Sequence, residues 1–153
     1  MSSLEELLRR DGVLVYKTRG ASMAPMLRED RDLVIIAPPK EPPRKGDVIL
    51  FRQGSLYVLH RIVGRQDGCF ITRGDNNYTP ETAPEEAVVG VLTGFKRKGR
   101  EYGVRHPGYR LYAFLWTFFF PLRRSAFRAG RRLRRILQRS GLLPLAKKLL
   151  RKK

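Results

Sequence analysis

The chain of 153 residues lacks several features that would each place it in a familiar class. It has one cysteine, Cys69, so no disulfide can form within it, and the redox compartment stays open. The N-terminus has the pattern of a short amphipathic helix rather than a secretory signal. No apolar run reaches the ~20 residues that a membrane-spanning helix needs. The sequence thus excludes a scaffold held by internal disulfides and predicts no spanning segment.

Acidic residues are scarce in the last third of the chain. Residues 1–95 contain 13 basic and 13 acidic side chains, and residues 96–153 contain 19 basic and one acidic, which gives the net charge of +18. This asymmetry predicts a balanced globular domain at residues 1–105. It also predicts a basic tail at residues 106–153 whose partner is polyanionic.

Short runs of β-branched and aromatic residues, bounded by Gly, Pro or Asp, predict strands in the first two thirds of the chain. They occupy residues 13–16, 33–36, 48–51, 57–63, 70–72 and 88–92, with a candidate edge strand at 102–104. Four prolines within residues 38–43 predict a surface loop. We therefore expect a mainly β domain, a barrel or folded sheet, with a short N-terminal helix and a helical tail.

Three residues within this β region have the side chains that a serine hydrolase needs. Ser22 lies in a turn at residues 20–27, His60 lies in the strand at 57–63, and Asp75 follows the next strand. A serine nucleophile needs a base with a pKa near the working pH, and histidine provides one. Strand alternation places His60 between Val58 and Ile62 on one face, and apolar neighbours favour the neutral ring. A carboxylate would hold the histidine tautomer.

Each residue alone also has a structural interpretation. Ser22 could be a solvated hydroxyl or a cap, His60 a core histidine bonded to backbone, and Asp75 a turn former. The other histidine, His106, precedes Pro107 and is expected to have a structural role or none. No metal and no cofactor is expected for this chemistry.

Taken together, the motifs resemble type I signal peptidases over roughly residues 16 to 95. They are Gly-Ala-Ser-Met-Ala-Pro-Met-Leu at 20–27, Gly-Asp-Val-Ile-Leu-Phe at 46–51, His-Arg-Ile-Val at 60–63 and Thr-Arg-Gly-Asp-Asn-Asn at 72–77. Histidine, rather than lysine, after the Gly-Asp strand resembles the endoplasmic-reticulum-like branch. The resemblance implies a mostly β catalytic fold that cleaves signal or leader peptides after small residues.

The same resemblance assigns roles to single residues. It makes Ser22 the nucleophile, His60 the general base and Asp75 the first acid, with Met23 next to the substrate cleft. Glu81 stands where that branch has a second acid, an aspartate, and its role is left open. The Ser22 backbone N–H is expected in the oxyanion hole. Family members usually begin with a transmembrane helix, so this sequence is expected to be a compact variant with its apolar segment at the other end.

The tail contains an uncharged, aromatic-rich run at residues 111–122, flanked by arginines and followed by an amphipathic basic helix. It could pack on the β domain as a C-terminal helix, bind nucleic acid or bind an anionic membrane face. We favour the membrane, because one surface would use both the apolar run and the bases, and expect nucleic acid least. The residues expected at the membrane are Trp116, Phe118, Phe119, Phe120, Arg123 and Arg124.

The sequence therefore predicts a membrane-associated serine endopeptidase that acts on signal or leader peptides. It is expected at the cell membrane, attached through its C-terminal segment, with the side of the membrane and any partner subunit left open. One alternative is a cytoplasmic processing or self-cleaving protease of the same fold. Another is a non-catalytic adaptor that binds membrane or nucleic acid.

Overall fold

The computed structural model of the protein describes residues 4–139. Gly141 and Pro144 are helix-breaking residues and are expected to end the basic helix of the tail. They and the basic end of the chain lie outside the described residues. The elements are α1 (Leu4–Asp11), β1 (Leu14–Lys17), β2 (Asp32–Ala37), β3 (Val48–Gln53), β4 (Leu56–Gln66), β5 (Cys69–Arg73), β6 (Glu81–Pro84), a 3-10 turn (Glu85–Ala87), β7 (Val88–Arg97), β8 (Arg100–Gly103), α2 (Pro107–Phe118) and α3 (Phe120–Arg139).

The predicted mainly β fold is confirmed. Eight strands form one antiparallel open sheet in the order β1-β2-β7-β3-β4-β5-β6, and β8 pairs with β7. Hairpins join β3 to β4 and β4 to β5, so three strands consecutive in the chain are also neighbours in the sheet. These three strands place the candidate catalytic histidine in the middle of the sheet.

Strand β6 was not predicted, because its four residues, Glu-Thr-Ala-Pro, include one β-branched residue and end in proline. It forms because it completes the sheet next to β5, where Glu81 pairs with Thr72. Thr72 in turn pairs with Ile62 on β4. Since directly paired residues share a face of the sheet, this register places Glu81 on the His60 face of β4.

The sheet has a hydrophobic cluster on each face. Along β3 the side chains alternate, with Val48 and Leu50 in one cluster and Ile49 and Phe51 in the other. All four are buried, which explains why this strand is a continuous apolar run. Burial of each such side chain contributes about 1.5–3 kcal/mol to folding.

The larger cluster extends beyond the sheet to the Ser22 turn and to helix α2. Met23 and Leu27 are buried in it from the turn, and Tyr109 and Ala113 are buried in it from α2. One cluster therefore supports the candidate nucleophile and the first helix of the predicted tail. One of the three interpretations of the tail is that it packs on the β domain, and this holds for one side of α2.

The chain divides into two compact units, Met1–Thr117 and Phe118–Lys153. The predicted domain boundary fell between residues 105 and 106, whereas the first unit includes nearly all of α2. In the second unit α3 is a basic helix on which Phe127 and Ile136 are exposed. Within residues 4–139, no helix is both long and apolar enough to cross a membrane.

Candidate active site

Ser22 lies in a compact turn whose ends are fixed in the core. Gly20, with φ +84°, opens the turn, and the Ala24–Pro25 peptide within it is cis. The Leu27 amide donates to the Met23 carbonyl at 3.0 Å, and the side chains of both residues are buried. Ser22 itself is half-buried. Its neighbours are thus held from beneath while Ser22 remains within reach of solvent.

His60 lies in the interior of β4, opposite Ile49 of β3. Its ring is buried, and the ring centroid lies 6.4 Å from that of Phe51. Burial lowers the pKa of His60, and the carboxylates of Glu81 and Asp75 offset this only in part, so that pKa lies below the ordinary 6.5. At neutral pH the imidazole is therefore uncharged, which is the form a general base requires.

The carboxylate that faces His60 Nδ1 belongs to Glu81. Its Oε2 atom lies 3.0 Å from Nδ1. Among the described residues neither of these two buried atoms has an aligned hydrogen bond, so the contact is electrostatic in this state. Glu81, whose role the sequence leaves open, thus lies next to the candidate base, where a carboxylate stabilises an imidazolium.

Asp75, predicted to orient His60, instead pairs with the neighbouring arginine. Arg61 donates from Nε to Asp75 Oδ1 and from Nη2 to Oδ2, both at 2.8 Å, and both side chains are buried. Because Arg61 follows His60 in a strand, the two side chains point to opposite faces. A buried guanidinium requires a carboxylate in this paired geometry, which accounts for the difference from the predicted arrangement.

Gly74 marks the place where Ser22 and His60 approach each other. A Cβ atom at Gly74 would lie 3.0 Å from His60 Nε2, 3.0 Å from Ser22 Cβ and 2.6 Å from Ser22 O. The Asn76 amide also donates to Ser22 O at 2.7 Å. Residues 74–77, which we call the Asp75 loop, therefore pack directly on the serine and on the far nitrogen of the histidine.

The described part of the chain has no hydrogen bond between the Ser22 hydroxyl and His60. In free enzymes this contact is often long and shortens only when substrate binds. The structure shows that Ser22 Cβ and His60 Nε2 both lie within 3.0 Å of the position that a Cβ atom at Gly74 would take. Nε2, rather than the Glu81-facing Nδ1, is the nitrogen on the serine side.

Arg61 was not singled out as a site residue from the sequence. Its Nη1 donates to Gly46 O at 2.7 Å and to Tyr109 Oη at 3.4 Å. Burial disfavours its charge, but Asp75 outweighs that and raises the Arg61 pKa. The signal that could have found it is an arginine inside an apolar strand with an aspartate in the loop after the next strand.

A depression of about 510 Å³ lies beside the Ser22 turn. Its lining consists of Gly20, Ala21 and Ala24 from the turn and of the charged residues Arg28, Glu29 and Asp30. Met23, predicted to contact substrate, is buried in the core at 4% exposure, so its side chain supports the turn from within. Its assignment to substrate binding stays a prediction.

The residues predicted to bind membrane have different environments. Trp116 donates its indole N–H to Asp75 O at 2.8 Å, in the first unit. In the second unit Phe118 and Phe119 are exposed, Arg124 is exposed, and Phe120 and Arg123 are partly buried. In the described chain, no cluster of His, Cys, Asp and Glu could hold a metal ion.

A half-buried serine beside a buried neutral histidine, which is itself next to a carboxylate, is the arrangement of a serine peptidase. The comparison with family models agrees with this class. The chain belongs to the Peptidase S24-like family, whose model matches residues 2–93. That range contains Ser22, His60, Asp75 and Glu81 and ends before α2. No curated protein and no solved structure matches the chain.

Proposed function

We propose that the protein is a membrane-associated serine endopeptidase of signal-peptidase type. The observation that carries the proposal is the approach of Ser22 and His60 Nε2 at Gly74. Ser22 Oγ attacks the scissile carbonyl as His60 takes its proton, and His60 then returns the proton to the leaving amine. Water then attacks the acyl-enzyme as His60 takes its proton, the ester bond to Ser22 Oγ breaks, and His60 returns the proton to Oγ.

The third role in this mechanism goes to Glu81. When His60 becomes an imidazolium during attack, a positive charge forms in a buried site and needs a negative partner. Glu81 Oε2, 3.0 Å from Nδ1, is placed to provide it. Asp75, bound to Arg61, has a structural role in the same mechanism.

The proposed substrate is a signal or leader peptide with small side chains next to the cleaved bond. The small residues Gly20, Ala21 and Ala24 on the turn that carries Ser22 are the support for this preference. The Ser22 backbone N–H is the proposed oxyanion donor.

Membrane association is supported by exposed apolar side chains on α2. Leu111, Phe114, Leu115 and Phe118 follow the i, i+3, i+4, i+7 pattern and are all exposed, three of them by more than half. In α3, bases alternate with apolar residues. An aromatic face and a basic helix suit an anionic headgroup region.

The proposed mechanism is tested with Ser22→Ala and His60→Ala, assayed in detergent on a leader-type peptide with small residues at the cleavage site. We expect both variants to lose cleavage by about 10³-fold or more. Ser55→Ala, which changes an exposed serine in the β3–β4 turn, is the matched control and should retain full activity. Cleavage that survives Ser22→Ala would refute the mechanism.

The match to the Peptidase S24-like family model does not single out the signal-peptidase branch, so it supports equally a second candidate, a self-cleaving protease. Such a protein would cut its own chain at a rate independent of concentration and would ignore an added peptide. Incubation of the purified chain, followed by mass spectrometry, separates the two candidates. Intact chain together with peptide cleavage supports the signal-peptidase type.

A further inference from the structure

Helix α2 has two apolar faces with different environments. Tyr109, Tyr112, Ala113 and Trp116 follow one i, i+3, i+4, i+7 pattern and are buried or half-buried. Leu111, Phe114, Leu115 and Phe118 follow the other and are exposed. A surface helix buries one apolar face against the core, and the inner face of α2 does so in the first unit. Beyond this packing, the inner face also carries polar groups, on Tyr112 and Trp116.

The inner face makes two directed contacts with one residue, Asp75. The Trp116 indole donates from Nε1 to the Asp75 backbone carbonyl at 2.8 Å. The Tyr112 hydroxyl donates to Asp75 Oδ2 at 3.1 Å. The two rings stack, with centroids 5.3 Å apart. Both the backbone and the side chain of Asp75 are thus bound by α2.

Asp75 follows directly on Gly74, the residue that contacts Ser22 and His60. The same loop donates from Asn76 N to Ser22 O. A displacement of Asp75 would therefore move the surface against which the nucleophile and the base are packed. Misplacement of reacting groups by about 1 Å can cost 10²-fold in rate.

We propose that Tyr112 and Trp116 are positioning residues of the active site, through which α2 holds the Asp75 loop against Ser22 and His60. The inference rests on the proposed roles of that pair. Neither aromatic residue touches the reacting atoms; each acts through Asp75. α2 lies beyond the segment matched to the family, so the chain supports its catalytic loop with a helix from outside that segment.

The test uses the full chain with Trp116→Phe and Tyr112→Phe, which remove one N–H or one O–H and keep an aromatic ring. Tyr102→Phe is the matched control, since it removes a hydroxyl from a tyrosine on β8 that stacks on Phe95. We expect kcat to fall about 10-fold in each α2 variant with KM changed less than twofold, because a shift of the Asp75 loop by a fraction of an ångström misplaces the reacting pair and not the bound peptide. The control should match the parent chain.

A second measurement does not depend on activity. The Asn76 amide, which donates to Ser22 O, should exchange with deuterium about 10-fold faster in both α2 variants. Unchanged exchange, or faster exchange with unchanged kcat, overturns the inference. If the parent chain cleaves nothing in a Ser22-dependent way, the proposed function fails. Exchange then still decides whether α2 holds the loop.

Discussion

The pKa of His60 is set by opposing contributions from its surroundings. Burial lowers it, and Glu81 and Asp75 raise it less than burial lowers it. A histidine whose pKa is lower in the folded chain than in the unfolded chain makes the folded chain less stable as the pH falls, because the unfolded chain then binds more protons. The chain should therefore unfold more easily as the pH drops below 6.5, the ordinary histidine value.

Removing the Glu81 charge should change both the pH profile and the rate. In the parent chain the acid limb of kcat/KM is expected below pH 6.5, since His60 acts as the neutral base. Glu81→Gln removes a contribution that raises the His60 pKa, so the limb should move to lower pH. kcat should fall about 10²-fold, because the imidazolium loses its partner.

The pH–rate profile of three variants checks this expectation. Glu81→Asp restores a carboxylate and should recover part of the rate. Glu41→Gln, which changes an exposed carboxylate in the proline-rich loop, is the control. A limb that moves to higher pH in Glu81→Gln, or a kcat that does not change, would contradict the assigned role.

Gly74 permits the contact between the loop and the reacting pair. Gly74→Ala should abolish most activity, because its Cβ would lie 2.6 Å from the Ser22 carbonyl, a backbone atom that cannot move aside alone. Gly64→Ala on β4 is a matched control, since its Cβ would meet Ile71 at an ordinary 3.8 Å. Peptide cleavage measures the first effect, and thermal unfolding shows that each variant is folded. Full activity in Gly74→Ala would contradict the contact.

At the scale of elements, the Arg61–Asp75 pair joins β4, the Asp75 loop and α2. Asp75→Asn leaves a buried guanidinium without its charge partner, which typically costs about 3–5 kcal/mol of unfolding free energy. Asp67→Asn, in the exposed β4–β5 turn, is the control and should cost less than about 0.5 kcal/mol. Denaturant unfolding of both variants measures the difference. A small effect of Asp75→Asn on stability would contradict the structural role.

The sequence predicted most elements because their local signals agree with the fold. β-branched runs bounded by turn residues identified β1 to β5 and β7, whereas β6 exists through pairing with β5 and has little signal of its own. For the same reason the sequence shows Glu81 as a candidate but not its distance from His60. That distance depends on two successive strand registers, β4 with β5 and β5 with β6. Ser22 and His60 could be selected as candidates, since their chemistry is visible in the residues themselves, and the structure brings both next to Gly74.

The partners of Asp75 could not be predicted from local pattern. A Gly-Asp-Asn turn favours a side chain bonded to its own backbone, yet Asp75 binds Arg61 from an earlier strand and Tyr112 from a later helix. The sequence predicts Trp116 at a membrane surface because the aromatic run at residues 111–122 forms one uncharged apolar stretch. Its helical periodicity separates an inner face from an outer face, and only contacts over long separations show which face is which.

At the scale of the whole molecule, the excess charge and the exposed apolar face lie in the same part of the sequence. Nineteen of the 32 basic side chains fall after residue 95, with one acidic residue among them. Each base near an anionic membrane surface contributes about 1 kcal/mol to binding at low salt, an attraction that salt screens over about 10 Å. Exposed Phe114 and Phe118 add apolar area that salt does not screen.

The full chain should therefore float with vesicles that contain anionic lipid, and less with neutral ones. Arg123→Gln with Arg124→Gln should weaken binding about 30-fold at low salt, since two bases contribute about 2 kcal/mol. Arg44→Gln with Lys45→Gln removes the same charge from the first unit and should have little effect. Phe114→Ser should weaken binding to a similar degree at low and high salt.

Two results would contradict this expectation. Equal losses from the two charge pairs would mean that net charge alone drives association. Retention on a DNA column at a salt concentration that releases the vesicles would favour nucleic acid as the partner.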